Sequence, residues 1–230
     1  MIILAIDTST KYISLAIAEK AKIIASFNRN LEQRHCARLI PEIDRLLKKA
    51  KLKLKDIGFI AFSIGPGAFT GLRIGAATVK GLALATKIKI TTVPTLDALA
   101  YNIKEDARLI APIIDAKRGN VYASIYSFNN GRLRRHMRYS VLPAVELLKK
   151  IKADAIFLGD GLVPYRKIIE DNFKFRAEFA DEREWYPKAA VVARMGYELI
   201  KKKKFKDLDK FVPMYVYPKD VQVRSSKKLS

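Results

Sequence analysis

Asp7 closes an apolar run, Ile2 to Ile6, and is followed by Thr8, Ser9 and Thr10. A carboxylate at a strand end can orient Mg²⁺ or a nucleophilic water, and the hydroxyls and turn amides after it can hold a phosphate. The same string also reads as an Asx-type turn that caps a hairpin and needs no ligand. Asp115 ends a second apolar run, so a duplicated fold would set the two carboxylates facing one another across a cleft. Gly65-Pro66-Gly67 stands between a strand and a helix start, where free amides can point at an anion. This loop lacks the Lys-Ser/Thr of a P-loop and the glycine spacing of a dinucleotide fingerprint. Gly159-Asp160-Gly161 follows a later strand and either approaches an adenosine or turns the chain. Nucleophilic and metal chemistry find few residues: Cys36 is the single cysteine, and His35 and His136 are the two histidines. His35 and Cys36 are adjacent and would point apart on a helix, so they form no dyad, and no Cys/His zinc set can be assembled.

These residues need elements to position them. Ile2 to Ile6, Tyr12 to Ala18 and Lys22 to Phe27 read as an antiparallel meander. Leu39, Ile43, Leu46, Leu47 and Ala50 recur at helical spacing, with Pro41 starting or kinking the helix. Strand Ile57 to Ile64, helix Thr70 to Thr86, strand Lys89 to Val93 and helix Thr95 to Ile103 follow. Ile6 to Ile17 can then be laid over Ile114 to Ile125 at an offset of 108 residues. In the later copy Asn129-Asn130-Gly131 supplies a tight turn into a third strand. Helix Pro143 to Lys152, strand Ala155 to Gly159, helix Val163 to Asn172 and helix Pro187 to Lys204 complete the order. The fold expected is α/β: two βββαβα halves with mixed sheets, residues 1–105 and 106–230, the last twenty or so packing back on the first half.

The helix Thr70 to Thr86 has Arg73 and Lys80 as its only charges before Lys87 and is apolar or small around most of its circumference. One buried face does not account for that, so a second element should cover its other flank. Gly71 and Gly75 would admit a close helix, either from within the chain (residues 38–50) or from a partner protein.

Forty-four basic residues against 23 acidic give a net charge of +21, a balance that points to an anionic partner such as nucleic acid. The excess is spread over both halves, and solvated lysines at helix ends explain it equally well. Local concentrations at Lys48, Lys49, Lys51, Lys53 and Lys55, at Arg132, Arg134, Arg135 and Arg138, and at Lys201, Lys202, Lys203 and Lys204, are the candidates for RNA contact. The longest uncharged run, Ile57 to Leu72, is shorter than the ~20 residues a membrane span needs. With no secretory pattern at the start, a cytoplasmic protein with no membrane partner is expected.

Several segments taken together resemble the bacterial TsaB family, also called YeaZ. They are Ile6 to Thr10, His35 with Leu39 and Pro41, Gly65 to Gly75 with Lys80 to Ala83, Val93 to Ala100, Ile114 to Tyr122, and Pro213 to Val216. The resemblance implies an ASKHA fold (actin-like ATPase, ribonuclease H-like) and a role in tRNA processing, the making of threonylcarbamoyladenosine beside the anticodon of tRNAs that read codons starting with A. It implies a non-catalytic subunit that heterodimerises with a TsaD-like catalytic paralogue and works with a TsaE-like ATPase, meeting tRNA through that complex. No tightly bound cofactor is implied, with ATP or ADP and Mg²⁺ expected at a complex interface, and a homodimer is expected when the chain is alone. The implied interface residues are Arg38, Leu39, Phe69, Thr70, Arg73, Ile74 and Thr78. Asp7, Thr8, Ser9, Gly65, Gly67 and Asp115 would then form a degenerate nucleotide or phosphate site. The paralogue's His-x-x-x-His metal motif falls on Thr95 and Leu99, so no metal site is implied. Older descriptions set the family beside glycoprotease-like peptidases, and no protease constellation is present in the sequence. A small ASKHA ATPase or phosphotransferase using Asp7 and Asp115 is the competing reading.

Overall fold

The computed structural model describes residues 1–30, 35–103 and 106–216; the side chains of His35 and Cys36 lie outside that description, and with them the reading of the pair as no dyad. The first half runs β1 (Ile2–Asp7), β2 (Tyr12–Glu19), β3 (Lys22–Asn30), α1 (His35–Lys49), β4 (Phe59–Ser63), α2 (Phe69–Thr86), β5 (Lys89–Val93) and α3 (Thr95–Ala100). Its sheet has the order β3-β2-β1-β4-β5, with β2 and β3 antiparallel and β4 and β5 parallel. Being central, β1 is buried on both faces and reads as a continuous apolar run. Strand alternation divides it: Leu4 and Ile6 meet Leu39, Ile43, Leu46 and Leu47 of α1 and Val79 of α2, while Ile3 and Ala5 face the other way. Pro41 lies inside α1, well past its first residue.

The second half runs β6 (Leu109–Lys117), β7 (Asn120–Ala123), β8 (Tyr126–Asn129), β9 (Arg132–Arg135), β10 (Ser140–Pro143), α4 (Ala144–Leu148), β11 (Ala155–Leu158), α5 (Leu162–Asn172), β12 (Ala177–Phe179) and α6 (Ala189–Lys201). The order β10-β7-β6-β11-β12 repeats that of the first sheet. The turn at Asn129–Gly131 leads to a different strand from the one expected. It joins β8 to β9 in an added hairpin that pairs with β6 at Ile110↔Tyr126, and the third strand of the repeat is β10. A tight-turn signal fixes a hairpin but not which strand of the sheet it extends.

The expected placement of the last helix is also corrected. Instead of completing the second half, α6 lies on the first sheet, where Ala189, Val192, Ala193 and Ile200 pack on Ile3, Ala5, Ala16, Ala18 and Ala61. The alanine-rich sheet face and Gly196 allow this, because a Cβ on Gly196 would stand 2.5 Å from Ala61 Cβ. In exchange α3 sends Leu96, Leu99 and Ala100 into the second half, against Ile110, Ile114 and Leu158. Residues 202–216 after α6 stay with the first half, with Lys206 N donating to Ile90 O and Met214 N to Ile64 O, and residues 217–230 of the expected returning segment lie outside the described residues. The return therefore begins at Ala189, earlier than the last twenty residues. No helix among the described residues is long and apolar enough to cross a membrane.

Candidate functional site: the cleft and the α1–α2 face

Between the halves lies a cleft of about 1060 Å³, bordered by Ser9, Thr10 and Lys11 from the first half and Asp115, Lys117 and Asp160 from the second. Asp7 does not border it. Its side chain is 1% exposed, accepts from Ser9 N at 3.0 Å and takes the Ser9 hydroxyl on both carboxylate oxygens. The expected opposition of Asp7 and Asp115 across the cleft is thus absent, and the Asx turn is what forms. Thr8 and Ser9 are fully buried as well. Thr8 Oγ1 donates to Gly71 O at 2.8 Å, and Ala68 N donates to Ser9 O at 2.7 Å.

The glycines around α2 explain this closure. A Cβ on Gly67 would stand 2.3 Å from Ser9 O, one on Gly71 2.1 Å from Thr8 O, and one on Gly75 2.2 Å from Thr8 Oγ1. The small pair Gly71 and Gly75 therefore admits the β1–β2 turn of the same chain, where a neighbouring helix was expected. Gly65 likewise admits the returning chain, since a Cβ there would stand 2.7 Å from Met214 O. The start of α2 is seated on the turn that would otherwise offer its groups to a phosphate.

Asp115 ion-pairs with Lys117 at 2.6 Å, and its amide donates to Asp160 Oδ1 at 3.1 Å. Gly159 and Gly161 turn the chain against the Ile113 backbone, Gly161 N donating to Ile113 O at 3.1 Å, so of the two readings of Gly159-Asp160-Gly161 the turn is realised. Sequence reasoning passed over Asp160 itself, since nothing local announces that its carboxylate faces the cleft. Burial pushes Asp160 up to about 6, against the pull of the Asp115 amide and of Lys117 and Lys11. Burial also pushes Asp7 up to about 6, the Ser63 hydroxyl and the Ser9 amide opposing it.

A carboxyl whose folded pKa lies above its ordinary 3.8 binds more protons folded than unfolded between those values. Its stabilising contribution is fully present below pH 3.8 and is lost as pH rises through about 6. Asp7 alone should thus cost about 1 kcal/mol of stability between pH 5 and pH 7, and Asp160 adds in the same direction. Thermal melts are expected to show a Tm higher at pH 5 than at pH 7, with Asp7→Asn flattening the difference. A Tm that rises from pH 5 to pH 7 would contradict this assignment.

At the rim of the cleft, α1 and α2 pack side by side and leave an outer face open, and Phe69, Thr70 and Ile74 of that face line the cleft as well. Phe69 is 52% exposed, Leu84 55% and, on α1, Ile40 50%. Thr70, Arg73 and Ala77 are exposed between them, and Ile74 and Thr78 are half-buried. The Arg73 guanidinium lies 3.8 Å from the Phe69 ring centroid, and Tyr215 of the returning chain packs on that ring at 5.4 Å. Tyr215 therefore belongs to this face, a placement that only the return of the chain reveals. Leu39 does not belong to it: fully buried among Ile43, Leu46 and the first sheet, it is core, whereas Arg38 is half-buried at the edge. The one apolar stripe of an amphipathic helix holds both core and rim residues, and burial alone separates them.

The family profile described as "TsaD: tRNA N6-adenosine threonylcarbamoyltransferase" matches residues 22–223. The tRNA threonylcarbamoyladenosine biosynthesis protein TsaB of Bacillus subtilis is 32% identical over 219 residues, 94% of each chain. The chain belongs to the TsaB family. The structure of YeaZ from Pseudomonas aeruginosa agrees, with a TM-score of 0.79 at 27% identity over 94% of this chain and 99% of that one. At 11% identity, an inorganic polyphosphate/ATP-glucomannokinase from Arthrobacter shares the fold alone, with a TM-score of 0.52 over 86% of this chain and 99% of that one. The ASKHA fold expected from the sequence is therefore the one observed. In this TsaB-family chain Thr95 and Leu99 are both fully buried. Thr95 Oγ1 accepts from Gly65 N at 3.1 Å and pairs with Ser63 Oγ at 3.0 Å, and Leu99 packs on the second half.

Proposed function

We propose that this chain is the non-catalytic partner subunit of a complex that transfers a threonylcarbamoyl group to the adenosine beside the anticodon of tRNAs reading A-starting codons. The carrying observation is the outer face of α1 and α2, where Phe69, Leu84 and Ile40 remain about half exposed and Ile74 half-buried, although Tyr215 packs on the Phe69 ring. Its partner is a TsaD-like paralogue, which supplies the chemistry, and a TsaE-like ATPase acts with the pair. The match of this chain to the TsaD profile supports pairing between two proteins of like architecture. The same face is suited to a second copy of the chain when the paralogue is absent.

In the β1–β2 turn Thr8 and Ser9 are poorly placed for a nucleotide phosphate, because α2 is seated on them and the Ser9 amide is engaged by Asp7, which leaves Thr10 and Lys11 at the cleft. We therefore assign any ATP or ADP with Mg²⁺ to the subunit junction. A phosphotransferase would need Asp7 open to the cleft, and Asp7 is buried.

Reconstitution tests the reading. With tRNA, threonylcarbamoyl-adenylate, the paralogue and the ATPase, adding this chain should raise modified adenosine, read by nucleoside mass spectrometry. The chain with tRNA and adenylate alone should form none. Modification by the isolated chain, or no dependence on it, would overturn the proposal.

A further inference from the structure

The β8–β9 hairpin has no counterpart in the first half, and its charge is unlike that of the rest of the chain. The thirty residues between Asp115 and Glu146 contain six basic residues and no acidic one, although the whole chain has 23 acidic residues in 230. Its basic residues also differ in kind. Only 16 of the 44 are arginines, yet four of those 16 stand within residues 132–138. A general excess of lysine does not produce such a cluster, whereas arginine is the side chain suited to bidentate phosphate contact.

Strand register sorts these arginines. Ser127 pairs with Arg134 and Asn129 with Arg132, so these four residues share one face, while Tyr126, Phe128, Leu133 and Arg135 share the other. The second face is turned to the protein: Tyr126 is 1% exposed, Phe128 and Leu133 pack on the second half, and Arg135 lies 4.1 Å from the Tyr139 ring centroid and 4.0 Å from Asp97. Arg135, though still exposed, is thereby engaged on the protein side of the hairpin. The first face is left to solvent, and Arg132, Arg134 and Arg138 are exposed with no carboxylate partner among the described residues. Lys201, by contrast, is paired with Glu198 at 2.8 Å. Arg132 and Arg134 are two residues apart on a strand, about 6.7 Å, an interval near that of successive phosphates in a nucleic-acid strand. Asn129 adds a hydrogen-bonding group beside them, whereas the Ser127 hydroxyl is paired with His136 Nε2 at 2.7 Å.

We infer that the outer face of the β8–β9 hairpin, through Arg132 and Arg134, is an arm that holds the phosphate backbone of RNA without reading its sequence. Resting on the proposed function, the inference gives this subunit its own contact with the tRNA. Arg132→Ala/Arg134→Ala is the test, with Lys48→Ala/Lys49→Ala as a control that removes the same charge from the end of a helix. Fluorescence anisotropy with an unmodified tRNA transcript, for the full chain alone and with the paralogue, reads affinity against salt.

The hairpin variant should bind about tenfold more weakly, with a salt slope shallower by about 2, and the control should match the wild type. Unchanged Tm and an unchanged one-to-one species in sedimentation would keep the loss local. Equal loss in both variants, no measurable binding by the wild type, or weakened paralogue association with intact tRNA binding would each overturn the inference. The last outcome would make the hairpin a protein contact. Arginine-dependent RNA binding without any paralogue association would instead defeat the underlying functional reading and leave the arm standing.

Discussion

Gly71→Ala lowers the stability of the folded chain by about 3 kcal/mol, a fall in Tm of roughly 6–12 °C. Helix propensity alone predicts the opposite sign, since alanine is about 1 kcal/mol better than glycine in a helix interior. Position decides against propensity here. The added Cβ would stand 2.1 Å from Thr8 O, a backbone atom held in place by its own turn. To relieve the clash, α2 must lift from the β1–β2 turn, and Thr8 Oγ1 loses its bond to Gly71 O. Gly81 lies in the same helix with nothing within 4 Å of its added Cβ, so Gly81→Ala should stabilise by up to about 1 kcal/mol. Urea denaturation of the two variants side by side checks the sign at each site. Equal behaviour would mean that α2 is not seated on the turn.

The second large effect separates interface from core. Ile74→Arg places a charge in the middle of the α1–α2 face and should weaken paralogue binding by about 2–4 kcal/mol, roughly 30-fold to 700-fold. The half-buried Ile74 has room to turn a longer side chain outward, so the Tm of the isolated variant should shift little. Leu39→Ala should do the reverse. It empties a fully buried position between α1 and the first sheet, costing about 2–5 kcal/mol of stability, while the folded variant still binds the paralogue. Calorimetric titration and thermal melts on both variants distinguish the two roles.

Much of this was legible from residue order. The meander from Ile2 to Phe27, the helical spacing from Leu39 to Ala50 and the offset between Ile6 and Ile114 all rest on local periodicity, and local periodicity survives folding. What escaped was non-local. The residues of α6 are apolar enough to cover either sheet, and the choice lies in alanines of β1, β2 and β4 far away in the chain. Gly71 and Gly75 marked a close approach correctly but could not say to what, since a helix and a turn make the same demand for a missing Cβ. Asp7 offered two readings because a carboxylate before hydroxyl residues serves a ligand or its own turn with the same atoms. Its burial by α2 was decided sixty residues later, at the glycines.

The proposed function requires this chain to pair through α1 and α2. Sedimentation velocity of the purified chain mixed with the TsaD-like paralogue from the same genome tests it most directly. A species with the mass of a one-to-one complex is expected, absent when Ile74→Arg replaces the wild type. Two proteins that sediment independently, with and without ATP and the TsaE-like ATPase, would contradict it.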